Sequence, residues 1–337
     1  MDKKKMAIDA VVMWVDGSDP EWLKEKNRYS PVKIDDSNKV NRYRDWNLMK
    51  YWFRTLETNC PWIRKVFFVT WGHIPSFLNT NNKKLVVVKH DDFIPKQYLP
   101  TFSSHTIELN LHRIPGLSEC FLLFNDDMFI VRPLNQNHFF FRGLPRLCYS
   151  EAPLLMKLDS EVWEWARFNG VSVINKHFSK RMMFKKHPSK VISFSYSLKN
   201  NIRNFILMFL CRHFTGLASR HSINAHKKST FKAVWNMEYE LLNNTSLHKF
   251  RNKADVNQWV MMFWNIAGGN FYPIKESLYV ADATDKTVNE FCSIITNRSK
   301  DVICINDPLK DVDFERLSAK LINAFENAYP NKSCFEK

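Results

Sequence analysis

The sequence predicts an α/β protein: a mostly parallel sheet with helices on both faces, followed by a mainly helical, basic C-terminal half. Three observations carry this expectation. Short apolar runs recur through the first 125 residues, each bounded by turn residues. Between them lie segments whose apolar residues repeat with helical spacing. Two of the runs end on acidic turns. Strands that alternate with helices build parallel sheets, because a crossover must return the chain to the same end of the sheet.

Residues 7–15 (AIDAVVMWV) form a nearly continuous apolar run before a turn cluster, the pattern of a strand buried on both faces. The turn Asp16-Gly17-Ser18-Asp19 then leads into a helix, with Asp19 as N-cap and Pro20 at the first helical position. Leu48, Tyr51, Trp52, Thr55 and Leu56 share one helical face. Residues 65–70 (KVFFVT) and 85–88 (LVVV) are short strands. Ser103 or Ser104 caps a helix carrying Ile107, Leu111 and Ile114. Residues 120–124 (CFLLF) form a further strand, running into Asn125-Asp126-Asp127. Ligands of open α/β sheets bind beyond the carboxyl ends of the strands, and both acidic turns sit at such ends.

Past residue 151 the texture changes. Trp163 and Trp165 open an aromatic and then basic region. Residues 204–217 (NFILMFLCRHFTGL) are apolar; a core helix is the favoured reading over one lying on a membrane surface. Residues 231–242 and 256–266 read as helices, the second closed by Gly268-Gly269. Phe314, Leu317, Leu321 and Phe325 mark a final amphipathic helix.

With 337 residues, 14% aromatics and 8 Gly, the chain has ample surface for a core, which excludes low-complexity disorder. No uncharged apolar run approaches the roughly 18 residues of a membrane span. The start already contains Asp9 and Asp16, so no secretory leader is expected. Seven Cys, without a CxxC pair, indicate neither a zinc ribbon nor a disulfide framework, and a reducing cytosol is expected. The net charge is +15, and residues 176–253 hold 16 Lys and Arg against Glu238 and Glu240 alone. Such a stretch attracts nucleic acid, anionic lipid or a phosphate-bearing substrate.

The chemistry centres on a few residues. The carboxylates of Asp126 and Asp127, placed after a buried strand, suit Mg²⁺ or Mn²⁺ bridging phosphates. A bare Asp-Asp is usually only a polar turn, and this one gains weight from the second acidic turn and the basic region. Gly17 allows close backbone approach, and the helix start after it offers free N–H groups to an anion. Glu108 and His112 are spaced i, i+4 and could form an acid–base pair. Among the cations of the basic region, His221 is expected to be kept neutral by like charge and so able to act as a general base. His226 shares that setting. The planar fork of Arg251 suits a phosphoryl group. The chain lacks a GxSxG elbow, a Walker A loop and a GxGxxG fingerprint, which excludes the enzyme classes built on them.

The string Ile8-Asp9-Ala10-Val11-Val12-Met13-Trp14-Val15-Asp16-Gly17-Ser18-Asp19-Pro20 resembles the first conserved region of the Stealth family. That family includes bacterial capsular polysaccharide phosphotransferases and the catalytic subunit of animal N-acetylglucosamine-1-phosphotransferase. A second region is similar from Arg42 to Phe140, through Pro100-Thr101-Phe102-Ser103-Ser104-His105 and Asn125-Asp126-Asp127-Met128-Phe129. A third resembles His221 to Trp235 with Phe250-Arg251 and Asp255, and a fourth Cys304-Ile305-Asn306-Asp307 and the final residues. The chain departs at Ser222-Ile223-Asn224, where the family usually carries a Pro soon after its His.

The resemblance implies a GT-A-like nucleotide-sugar-binding core over residues 1–150. Residues 151–337 would supply the acceptor side and complete one integrated catalytic unit. It implies transfer of a sugar-1-phosphate from a UDP-sugar to a sugar hydroxyl, with release of UMP. The acceptor would be a polysaccharide or lipid-linked oligosaccharide. Trp14, Asp16, Gly17, Arg44, Asp45 and Asn125 are expected to hold the nucleotide sugar. Asp127, with Asp126, would bind a divalent cation (Mg or Mn). Arg251 would stabilise charge, and His221, with Glu108 as its rival, would take the acceptor proton. The expected location is cytoplasmic, with the basic stretch on the anionic inner face of the cell membrane. The alternative enzyme is a glycosyltransferase that moves the sugar alone and releases UDP. A nucleic-acid partner is not expected, because it leaves both acidic turns without a purpose.

Overall fold

The computed structural model describes residues 6–30, 45–219, 221–308 and 312–337. Eleven strands are present there: β1 (Ile8–Met13), β2 (Val66–Thr70), β3 (Leu85–Lys89), β4 (Cys120–Asn125), β5 (Met128–Ile130), β6 (Phe140–Phe141), β7 (Leu144–Leu147), β8 (Asn224–Lys227), β9 (Tyr272–Pro273), β10 (Leu278–Asp282) and β11 (Val302–Asn306). The main sheet has the order β3-β2-β1-β4-β8. Its first four strands are parallel, and β8 closes the edge antiparallel to β4. The α/β expectation, with a mostly parallel sheet, is borne out.

Alternation along β1 shows why helices cover both faces. Ile8, Ala10 and Val12 pack into one core with the helices Met49–Asn59 and Phe314–Ala328. Val11 faces the other core, with Phe67, Phe121 and the helices Ser104–Asn110, Lys228–Met237 and Trp259–Ala267. Asp19 caps the helix Pro20–Tyr29 as the sequence predicts, accepting from Trp22 N at 2.8 Å.

Other expectations are corrected. The helix Ser104–Asn110 begins without a serine side-chain cap, and the buried hydroxyl of Ser103 has no partner among the described residues. That helix tightens into a 3₁₀ turn at Leu111–Arg113. The segment 231–242 is two helices, Lys228–Met237 and Tyr239–Leu247, interrupted at Glu238. The helix Trp259–Ala267, by contrast, is closed by Gly268-Gly269 as expected, and Gly269 takes the left-handed conformation, φ +69°. A Cβ there would come within 2.2 Å of the His187 ring.

A second sheet, β10-β11-β5, brings a late segment of the chain back to the first. β10 and β11 run parallel, and β11 pairs antiparallel with β5, just past the Asp126–Asp127 turn. Ile305 N donates to Asp127 O at 2.9 Å, which ties that turn to the carboxyl end of β11.

The residues past 151 are mainly helical and form a third core around Ile174, Met183, Phe214 and Phe263. Its polar centre is a fully buried pair. Lys180 Nζ donates to Glu151 Oε1 at 2.7 Å, to Leu207 O at 2.8 Å and to His213 O at 3.1 Å. Lys180→Ala leaves Glu151 buried without its cation, so urea unfolding should show a loss of about 3–5 kcal/mol. A loss under about 1 kcal/mol would mean that Tyr149 and Thr215 satisfy the carboxylate alone. Several other cations of the basic stretch are likewise committed to carbonyl oxygens: Lys190 to Gly269, Lys249 to Leu99 and Lys253 to Leu158. The stretch is therefore only in part a solvated face.

Candidate active site

Strand order 3-2-1-4 places the switch of connection direction between β1 and β4, where a crevice opens beyond the carboxyl ends. The register pairs Met13 with Asn125, so Trp14 and Asp126 leave the sheet side by side. A cavity of about 640 Å³ lies there. Of the residues singled out in the sequence, Trp14, Asp45, Asn125, Asp126, Asp127, His221 and Arg251 line it. A side recess of about 60 Å³ shares Asn125, His221 and Arg251 and adds Glu108.

His221 is the hub. Its Nε2 lies 3.0 Å from Asp127 Oδ2 and 3.3 Å from Asn125 Nδ2. The sequence places it among cations, which would depress its pKa; in the structure the shift runs the other way. Burial works against its charge, but the Asp127 carboxylate outweighs that effect and raises its pKa. Glu108 Oε2 accepts from Gln258 N at 3.2 Å, on a side chain that is 7% exposed. Arg251 donates from Nη2 to Ser104 Oγ at 2.7 Å. Its loop is braced by buried Asp255, which joins His105 Nδ1 at 3.0 Å and His248 Nδ1 at 2.6 Å.

The other turn behaves differently from expectation. Asp16 Oδ1 accepts from Ser18 N at 2.9 Å and Ser18 Oγ at 2.6 Å, and Asp16 N donates to His73 Nε2 at 2.8 Å. Burial disfavours the Asp16 charge, yet these Ser18 hydrogen bonds hold its carboxyl below the usual range. Neither Asp16 nor Gly17 lines the cavity. Asp45 does line it, its carboxyl raised by burial and by nearby Asp16. Arg44 lies outside the described residues. Glu108 and His112 do not pair. The imidazole of His112 packs on Phe231 and Trp235, its Nδ1 is 3.2 Å from Leu109 O, and burial lowers its pKa to about 3. His226 is buried against Phe121 and Gln258, with its pKa down to about 4.

Sequence reasoning missed Asp282 and Asp307, which reach the cavity from the carboxyl ends of β10 and β11. It also missed Trp259, Ser104 and His90. The available signal was the same one that exposed Asp126: a short apolar strand ending on a carboxylate.

Five aspartates therefore line the cavity: 45, 126, 127, 282 and 307. Asp126 opens to the cavity yet is crowded by protein elsewhere, and that desolvation, with Asp127 beside it, raises its pKa to about 7. Asp127 Oδ1 is buried without a hydrogen-bond partner among the described residues. Asp127, His221 and Cys304 offer ligand atoms within 4.8 Å of one another. Burial, reinforced by Asp127, raises the Cys304 thiol well above its usual range in the ion-free protein. Crowded carboxylates with an orphaned oxygen fit a hard divalent cation.

Stealth protein conserved region 1 matches residues 6–31, and conserved region 2 matches residues 42–146. The chain is 38% identical to the capsular polysaccharide phosphotransferase WcwK of Streptococcus pneumoniae, over 98% of this chain and 99% of that protein. It is 36% identical to the exopolysaccharide phosphotransferase cps2G of Lactiplantibacillus plantarum, over 98% of this chain and 96% of the other. Among solved structures, the galactosyltransferase LgtC is similar at 10% identity, with TM-score 0.41, over 94% of this chain and 95% of LgtC.

Proposed function

The chain belongs to the Stealth family of polysaccharide phosphotransferases, and from that premise we propose that it moves a hexose-1-phosphate, of the N-acetylhexosamine class, from a UDP-sugar to an acceptor sugar hydroxyl. The acceptor oxygen attacks the phosphorus that carries the sugar. The bond from that phosphorus to the UMP oxygen breaks, UMP leaves, and the acceptor proton passes to the protein. The product is a phosphodiester in a capsular or exopolysaccharide. Residues 1–150 hold the donor, and residues 151–337 complete the acceptor side. The observation that carries the reading is the convergence of Asp127, His221 and Arg251 on one cavity at the sheet's switch point.

Each group has a part. Trp14, Asp45 and Asn125 position the nucleotide sugar. Asp127 and Asp126 would hold a divalent cation, which when bound neutralises charge on the diphosphate. Without such compensation, five aspartates would repel the donor. Arg251 stabilises charge on the phosphoryl oxygens, with its guanidinium aimed by Ser104. In its neutral form His221 accepts the acceptor proton, its raised pKa making it the stronger base and its ring oriented by Asp127 and Asn125; Glu108, in the recess beside it, is the alternative base.

The decisive measurement is the leaving group. Incubation with UDP-N-acetylhexosamines, Mn²⁺ and an oligosaccharide acceptor should release UMP, and phosphorus NMR should show a new phosphodiester. Release of UDP without a phosphodiester would sink this reading in favour of sugar transfer alone.

A further inference from the structure

The helix Leu198–Leu210 is amphipathic in the inverted sense. Leu198, Ile202, Phe205, Ile206 and Phe209 stand at i, i+4, i+7, i+8 and i+11, which is one stripe on a helix. All five are exposed, from 47% at Ile206 to 75% at Leu198. Leu210 and the fully exposed Phe194 extend the patch. The inward side sets one apolar residue, Met208, into the third core and is otherwise fastened by polar groups. Asn204, completely buried, donates to Tyr149 O at 3.1 Å and Val191 O at 3.0 Å, and accepts from Glu151 N at 3.0 Å. The Lys180 ammonium holds Leu207 O from the same side. The favoured expectation of a core helix is thus overturned, because the helix is fastened by polar groups and its apolar stripe points outward.

An apolar patch of this extent marks an interaction surface, and the surrounding charge indicates what covers it. No Asp or Glu occurs between Glu164 and Glu238. Lys199 on the helix and Arg212 just past its end are exposed. So are Arg181, Lys185 and Lys186 on the adjoining helix Lys180–Lys186. A second copy of the chain would set these cations against their like. An anionic bilayer instead offers acyl chains to the stripe and phosphate groups to the cations. The helix has 13 residues, about 20 Å in length, and none of the described helices is long and apolar enough to cross a membrane.

We propose that Leu198–Leu210 lies along the headgroup boundary of an anionic membrane and docks the chain there. The placement bears on the cavity, because the segment that carries Asn204's partners also pairs Ser150 O with Ala218 N at 2.8 Å. Ser219 and His221 follow on the cavity wall. A docked helix therefore holds the acceptor side of the cavity next to lipid, as an acceptor carried on a lipid requires. The docking itself stands independently of which nucleotide is released.

The test is cosedimentation of the full chain with vesicles of phosphatidylglycerol and phosphatidylcholine, against vesicles of phosphatidylcholine alone. The wild type should partition at least about tenfold more strongly onto the anionic vesicles, less so as salt rises. Phe205→Glu with Phe209→Glu should lose that binding by about tenfold or more while retaining the wild-type circular dichroism and melting, since both rings are exposed. Lys185→Glu with Lys186→Glu should weaken binding to anionic vesicles only. The proposal is overturned if the wild type ignores both vesicles, if the Phe variant binds as well as the wild type, or if the stripe proves to hold a dimer that the Phe variant dissolves.

Discussion

His221→Ala should lower turnover by about 10²–10⁴-fold, the range for losing a positioned general base, while binding of the UDP-sugar is largely retained. The expectation rests on geometry. His221 is the one imidazole in the cavity wall held by both the Asp127 carboxylate and the Asn125 amide, 3.0 and 3.3 Å away. Removing the ring leaves Trp14, Asp45, Asn125 and Arg251 in the cavity wall. Single-turnover UMP release measures the chemistry, and calorimetric titration with a UDP-sugar measures binding. Turnover within about tenfold of wild type would pass the role to Glu108, and Glu108→Gln, which keeps the shape and removes the base, then becomes the informative variant. A parallel loss of Mn²⁺ affinity would instead make His221 a ligand. Paired readouts separate the two roles that its contact with Asp127 permits.

The parallel strands were legible because each is buried on both faces and so reads as an unbroken apolar run. β8 was not, since NAHK is polar and pairs on one side only. Asp127, Asn125, Trp14 and Asp45 were legible through the rule that sites form beyond carboxyl strand ends or through family resemblance. Asp16 satisfies the same rule, yet one of its carboxylate oxygens is taken by Ser18, two residues on, and it stands outside the cavity lining. Asp282 and Asp307 were hidden for another reason: nothing in a linear pattern says that a second sheet delivers its strand ends to the same rim. His221 shows the limit of reading charge along the chain. Its sequence neighbours are cations, but its nearest charged neighbour in space is Asp127, 94 residues away. For the helix Leu198–Leu210, periodicity located the stripe without saying which side faces inward. Asn204 was the available clue, since a buried amide on the opposite side turns the stripe to the outside.

Asp127→Asn should have an effect of similar size by a different route. The substitution preserves volume and can keep a contact with His221, but it halves the charge of the Asp126–Asp127 turn. If that turn holds the cation, Mn²⁺ affinity should fall about 10–100-fold and turnover by about 10³-fold, because charge on the phosphoryl group loses its main compensation. Misfolding would mimic the loss of turnover, so stability is the control. In the ion-free protein, Asp126 is strained by desolvation and by Asp127, which together push its pKa to about 7. Removing the Asp127 charge relieves part of that repulsion and gives up the charge that faces His221, two effects of opposite sign, so the ion-free variant should melt close to the ion-free wild type. Addition of Mn²⁺ should raise the melting temperature of the wild type and barely move that of the variant, by mass action on the folded state. Electron paramagnetic resonance of free Mn²⁺, with melting curves at zero and saturating metal, checks all of these expectations. A variant that binds Mn²⁺ as tightly as wild type, or turns over within about tenfold of it, would place the cation elsewhere on the carboxylate rim, with Asp45, Asp282 and Asp307 the remaining aspartates of the cavity wall.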